Sequence, residues 1–162
     1  MHSRHIALVV ISFFLLAATS AAAQQASTPV AQNSAPGAFG KVPNVPDCLT
    51  AAPQQGDPGK GPSILLIKGT AGCKAAWHWH SPNEALMMVS GTGRMEMKGQ
   101  QAVLLRAGGF ALAPSKHVHQ FTCVVRCEFF LNSDAPFDIH YVDQDGKEIP
   151  PEQVLGAAKP KK

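Results

Sequence analysis

From Gly72 to Gly91 the chain runs GCKAAWHWHSPNEALMMVSG. His78 and His80 stand two apart, so on a β-strand both imidazoles leave the same face. Ser81-Pro82-Asn83 is turn chemistry. A turn there folds the strand that begins at Glu84 back beside the first and aims its carboxylate at the same point. A fourth donor, His119, sits near the start of a later strand. Three imidazoles and one carboxylate suit a borderline divalent ion, Mn, Fe, Ni or Zn, and leave positions open if the ion is six-coordinate. An H-x-H pair on an aromatic strand is by itself more often a core or surface feature. The weight lies in the combination.

Outward from this stretch the pattern is short apolar runs punctuated by turn residues. Ile64 to Ile67 reads as a buried strand, and Trp77 to His80 as the next. Glu84 to Val89 follows, and Ser90-Gly91-Thr92-Gly93 turns the chain again. Arg94 to Lys98 alternates polar and apolar, the period of a half-buried strand, with Met95 and Met97 inward. Ala102 to Leu105, Phe110 to Ala113, His119 to Val125, Glu128 to Leu131 and Asp138 to Val142 continue the series. Asp145-Gly146 is a hairpin signal, and Glu152 to Leu155 has room for one helical turn. Regular short strands with turns between them predict an all-β sandwich or barrel. If His78 and His80 face its interior, Trp77 and Trp79 face outward. Leu86 and Met88 then share the side of Glu84, with Phe110, Leu112 and Phe121 as expected neighbours of an apolar cavity.

These residues resemble the cupin superfamily. Its first motif, G-x5-H-x-H-x3-E-x6-G, is met by Gly72, His78, His80, Glu84 and Gly91. Its second, G-x5-P-x-G-x2-H-x3-N, is met in spacing by Gly108, Pro114 and His119, while Lys116 replaces a glycine and Cys123 an asparagine. Glycine tolerates positive φ cheaply, so a different turn is expected at Lys116. The resemblance covers about residues 63–142. It implies a double-stranded β-helix, the cupin jelly-roll barrel, with His78, His80, Glu84 and His119 as ligands of one divalent metal ion.

The same resemblance implies an enzyme acting on a small organic molecule, dioxygenase-like or isomerase/decarboxylase-like. A non-catalytic module that binds or senses a small ligand is the alternative, because the fold alone does not decide. Glu84 is a candidate base if it loosens from the metal. His117 shares strand parity with His119 and is a candidate proton shuttle, against a plainer place on the rim. Lys116 reads as a solvated side chain rather than an anion site. Cupins commonly pair, so a homodimer is a family expectation.

Composition bounds the rest. The chain has 162 residues, 45% apolar and 15% charged, with a formal net charge of +3. That is one domain with tails, and the charge is too small and diffuse for nucleic-acid binding. Residues 1–23 read as a signal peptide: Arg4 and His5 precede an apolar run from Ile6 to Ala18, shorter than the roughly 20 residues of a membrane span, and Ala21-Ala22-Ala23 is a small-residue cleavage site. Export to the periplasm or medium is expected, with no stable membrane insertion after cleavage. Residues 24–46, rich in Ala, Gln, Ser, Pro and Asn, read as a flexible leader. Residues 47–158 are the single domain and 159–162 a basic tail.

In an oxidising compartment the four cysteines usually pair. Cys123 and Cys127 are close enough for a short hairpin to join, which leaves Cys48 with Cys73. Zinc is the competing reading, but a single C-x3-C spacing suits it poorly.

Overall fold

A computed structural model describes residues 29–33 and 37–156. The expected signal peptide and basic tail lie outside the described residues. Residues from Gln32 onward form one unit, and the described residues before it, 29–31, are exposed.

Ten strands follow one another: β1 Leu49–Gln55, β2 Ser63–Gly69, β3 Lys74–Trp79, β4 Glu84–Ser90, β5 Gly93–Met97, β6 Val103–Leu105, β7 Phe110–Ala113, β8 His119–Cys123, β9 Cys127–Ser133 and β10 His140–Tyr141. One short helix, α1 Pro151–Leu155, closes the described chain where a helical turn is expected. The strands form two antiparallel five-stranded sheets, in the orders β1-β2-β9-β4-β7 and β10-β3-β8-β5-β6. The chain crosses between the sheets repeatedly, which is the double-stranded β-helix. Among the described residues no helix is long and apolar enough to cross a membrane.

Alternation places one face of each sheet in the core. In the first sheet Leu65, Leu131, Leu86 and Ala111 are aligned across β2, β9, β4 and β7. In the second, Phe121 lies opposite Met95 on one side and Ala75 on the other. Phe121 and Phe129 meet edge to face across the core at 5.0 Å, an arrangement that adds to the area they bury. Gly91, from the first motif, has φ 78°, and a Cβ there would lie 2.0 Å from the Arg126 carbonyl oxygen. Only glycine fits that close approach between neighbouring turns.

Both disulfides expected in the sequence are present. Cys48–Cys73 links the chain just before β1 to the chain just before β3, and Cys123–Cys127 closes the turn that carries the chain from β8 in one sheet to β9 in the other. Disulfides persist in oxidising surroundings.

Two expectations are corrected. Phe110 and Leu112 are not neighbours of the cavity: β7 has the opposite phase, so Ala111 and Ala113 face inward while Phe110 and Leu112 are exposed. The leader expected to be flexible as far as residue 46 is structured from Gly40 onward. Gly40 pairs with Ala51 of β1, Lys41 bridges to Asp47 at 2.6 Å, and the Tyr141 hydroxyl donates to the Asn44 carbonyl at 2.9 Å. Composition missed this strap because its burial rests on two valines, Val42 and Val45, packed against the core. One further anchor comes from a tyrosine almost a hundred residues away.

Candidate metal centre

A bulge in β3 sets up the site. Pairing with β8 is regular at Ala75 and again at His78, with a register shift between them. Ala75 and His78 are both buried although three positions apart, because the extra residue changes the phase of alternation. His78 then lies directly opposite His119 of β8, and Tyr141 of β10 lies opposite His78 on its other side. His80 follows two residues on, at the end of the strand, and Glu84 opens β4 after the Ser81-Pro82-Asn83 turn. All four side chains are buried.

Each imidazole is fixed through its Nδ1. His78 donates to the Ala76 carbonyl at 2.6 Å, His119 donates to the His117 carbonyl at 2.9 Å, and His80 donates to the Asp138 carbonyl. A ring whose Nδ1 carries the proton presents an unprotonated Nε2. One nitrogen from each of the three rings lies within 4.8 Å of the others. Glu84 lies beside this group, with Oε1 at 3.3 Å from His80 Nε2 and Oε2 at 3.5 Å from His119 Nε2. The Nε2 of His80 is buried without a hydrogen-bond partner. Buried polar atoms are rarely left so, and a cation at this point would take up that lone pair. The three-nitrogen, one-oxygen donor set fits a divalent ion.

Electrostatics agree with that fit. Burial depresses the His78 imidazole, the nearness of His119 and His80 adds to this, and its pKa falls to about 3. Burial alone would raise the Glu84 carboxyl, but the neighbouring His80, His119 and His78 outweigh it and hold it down at about 2. The centre therefore carries a neutral His78 and an ionised Glu84 at neutral pH, which are the forms that bind a cation.

Three loops brace the site from behind. Asn83 receives Ser115 N–H on its Oδ1 at 2.9 Å and donates through Nδ2 to Asp134 at 2.6 Å. Ser115 Oγ donates to the Ser81 carbonyl at 2.6 Å, and Lys116 N–H donates to the His80 carbonyl at 2.8 Å. Asp138, whose carbonyl holds His80, also accepts Ser81 N–H at 2.7 Å. Sequence reasoning missed Asp138, Asn83, Asp134 and Ser115. Their polar character is ordinary for loops, and only the fold brings them together.

Lys116 corrects another expectation. Its φ is 61°, so the left-handed turn before His119 is kept and a lysine occupies it. Its side chain is exposed, with Nζ 6.0 Å from the Trp79 ring. Trp79 faces away from the centre as alternation requires and stacks on His140 at 3.8 Å. His117 is half-buried and outside the cavity wall, with its Nε2 lacking a partner.

A cavity of about 60 Å³ adjoins His78, His80, Glu84 and His119. Met95, Leu86 and Phe121 line it as expected, Met88 and Met97 do not reach it, and Val42, Val45, Phe137 and Ile139, which the sequence did not single out, add to its wall.

Residues 66–131 match the family described as Cupin domain. Among solved structures, KdgF from Halomonas sp. is 16% identical with a TM-score of 0.52, over 62% of this chain and 88% of that one. The DMSP lyase DddQ from Ruegeria pomeroyi is 17% identical with a TM-score of 0.50, over 64% of this chain and 51% of that one. A structure of the DMSP lyases RdDddP and RnDddQII gives 16% identity and a TM-score of 0.52, over 59% of this chain and 53% of that one. The chain thus spans about half the length of the DMSP lyases it matches. Likeness at these identities is likeness of fold. No curated protein matches the chain.

Proposed function

The chain belongs to the cupin superfamily, and from that premise we propose that it is an exported metal-dependent enzyme acting on a small organic molecule. His78, His80, Glu84 and His119 hold one divalent ion. The observation that carries this reading is the fixing of all three imidazoles through Nδ1, with one nitrogen from each ring converging within 4.8 Å. Backbone acceptors that set the tautomer and ring angle are what a metal-binding histidine needs behind it.

When bound, such an ion supplies Lewis acidity, or redox chemistry with dioxygen if it is Fe, Mn or Ni. The chain's own residues supply the remainder. The apolar wall excludes water, and Glu84 is the side chain in that wall suited to take a proton. We assign His117, half-buried outside that wall with an unpartnered Nε2, the exchange of this proton with solvent. The disulfides support export.

Elemental analysis of residues 24–162, recovered from the export compartment, tests the centre beside a His78→Ala/His80→Ala variant. Near-stoichiometric Mn, Fe, Ni or Zn, lost in the variant, is expected. The metal found then directs the assay, oxygen uptake for Fe, Mn or Ni and isomerase or decarboxylase screens for Zn. No metal in either protein after reconstitution overturns the proposal.

One observation favours a ligand-binding or sensing module as the second reading. Among the described residues of the cavity wall, Glu84 is the only acid, and no lysine, arginine, tyrosine or cysteine stands beside it. Stabilisation by a small molecule without product formation would select that reading.

A further inference from the structure

We infer that the cavity takes a small molecule that is uncharged away from its metal-binding atom, and that Val42 and Val45 of the N-terminal strap set its size limit. The inference rests on the metal centre proposed above and names the class of ligand it accepts.

The wall carries the first half. Beyond the four metal-site side chains, the cavity is lined chiefly by Leu65, Leu86, Leu131, Phe121, Phe129 and Phe137. Thr50 contributes the one hydroxyl, and among the described residues no lysine, arginine, asparagine or glutamine reaches the wall. A second ionised group on the ligand would be buried there without a counter-charge or donors. Burying an unpaired charge is strongly unfavourable. A divalent ion bound through imidazole lone pairs and the Glu84 carboxylate would leave a net charge of about +1, because a ring nitrogen that binds an ion carries no proton. That balances a single negative charge on the donor atom itself and no more.

Size carries the second half. The cavity is small, about 60 Å³, so the walls around it limit how far a ligand extends beyond its donor group. The sheets supply most of its boundary, and regular strand pairing resists local movement. Val42 and Val45 come instead from the strap, outside the segment matched to the family. Both are half-buried. The strap is held at its crest by the single hydrogen bond from Tyr141 to the Asn44 carbonyl. Shortening the two valines therefore enlarges the cavity without altering a strand.

Calorimetric titration of the metal-loaded chain at about pH 8, where imidazole is neutral, tests both halves. Elemental analysis of the same sample establishes loading. Imidazole is a neutral one-atom donor, imidazol-1-ylacetate adds an ionised group on the far side of the ring where it cannot chelate, and 4-phenylimidazole adds bulk. Imidazole is expected to bind, with the carboxylate at least tenfold weaker. Wild type is expected to reject 4-phenylimidazole, and a folded Val42→Ala/Val45→Ala variant to admit it.

Carboxylate binding as tight as that of imidazole overturns the charge rule. Tight binding of 4-phenylimidazole to wild type, or none to the folded variant, overturns the size rule. If the double variant does not fold, Tyr141→Phe frees the strap, and failure of that variant to admit 4-phenylimidazole counts equally against it. A metal-loaded chain that binds none of the three overturns the inference and leaves the metal centre standing. A chain without metal overturns both.

Discussion

His78 donates its Nδ1–H to the carbonyl of Ala76 at 2.6 Å, and Ala76 lies within the register shift that separates β3 into two phases. The bulge thus does two things. It turns His78 inward on the same side as Ala75, and it offers a carbonyl, free of regular pairing, to hold the ring. Bulges near functional sites commonly re-aim a side chain in this way.

Deleting Ala76 separates those roles. Without the extra residue, alternation from Ala75 to His78 becomes regular, so His78 still faces inward but loses its acceptor. Outer partners of a metal-binding histidine contribute about 10–100-fold to affinity. We expect a folded variant whose metal affinity drops by that factor, measured by chelator competition beside circular dichroism.

Acid should destabilise the metal-free protein. The His78 pKa is depressed to about 3, below the roughly 6.5 of an unfolded chain. Its contribution is intact above 6.5 and is lost as pH falls toward 3, because the unfolded state binds the proton first. Glu84, depressed to about 2, acts with the same sign below its unfolded value of about 4.3. His140 acts oppositely: burial lowers its pKa, but Glu148 and Asp138 outweigh this and raise it. Its smaller, solvent-screened contribution is present below about 6.5 and fades as pH rises through its folded value. Urea midpoints of chelator-treated protein should fall steadily from pH 7 to pH 4. A flat profile would contradict the buried charge arrangement.

The disulfides should contribute unequally. Cys48–Cys73 spans 25 residues and Cys123–Cys127 only 4, and loop-closure entropy grows with the span. Chain-entropy arithmetic assigns about 3–4 kcal/mol to the longer loop and about 2 kcal/mol to the shorter. Replacing each pair with alanine and comparing denaturant midpoints checks the order. The Cys48/Cys73 variant should also expose the strap to proteolysis, since the bond anchors the chain just after Asp47.

Lys116→Gly should stabilise the protein. A side chain at φ 61° meets steric conflict of about 1–2 kcal/mol, which glycine avoids, although glycine loses more entropy on folding. The balance is a gain of up to about 1 kcal/mol, read from a chemical denaturation midpoint at constant slope. Metal content should be unchanged, because the side chain lies outside the cavity and its backbone bond to His80 is retained.

The barrel was legible because its signals are local. Turn residues separate short apolar runs, and strand alternation assigns their faces. Two histidines two apart share one face of any strand, but the expectation that the Ser81-Pro82-Asn83 turn folds β4 back beside β3 is corrected: the turn crosses to the other sheet, and Glu84 meets the histidines across the core. Phe110 and Leu112 were misplaced because a strand's phase depends on its pairing partner. β7 runs beside β4 with Ala111 opposite Leu86, and no property of Phe-Ala-Leu-Ala reveals which residues turn inward.

By itself, then, the sequence determined an all-β fold of short strands and the close approach of His78 and His80 on one strand face, since these depend on local spacing, while the resemblance to cupins supplied the barrel and the place of His119. The tertiary structure alone decided what surrounds the centre. Asp138 reaches His80 from 58 residues away, and Tyr141 holds Asn44 from 97. Those contacts rest on where the two sheets close over the core. A strap bearing two valines has too little apolar surface to announce its burial in composition, and becomes part of the cavity only because the barrel provides a wall for it to cover.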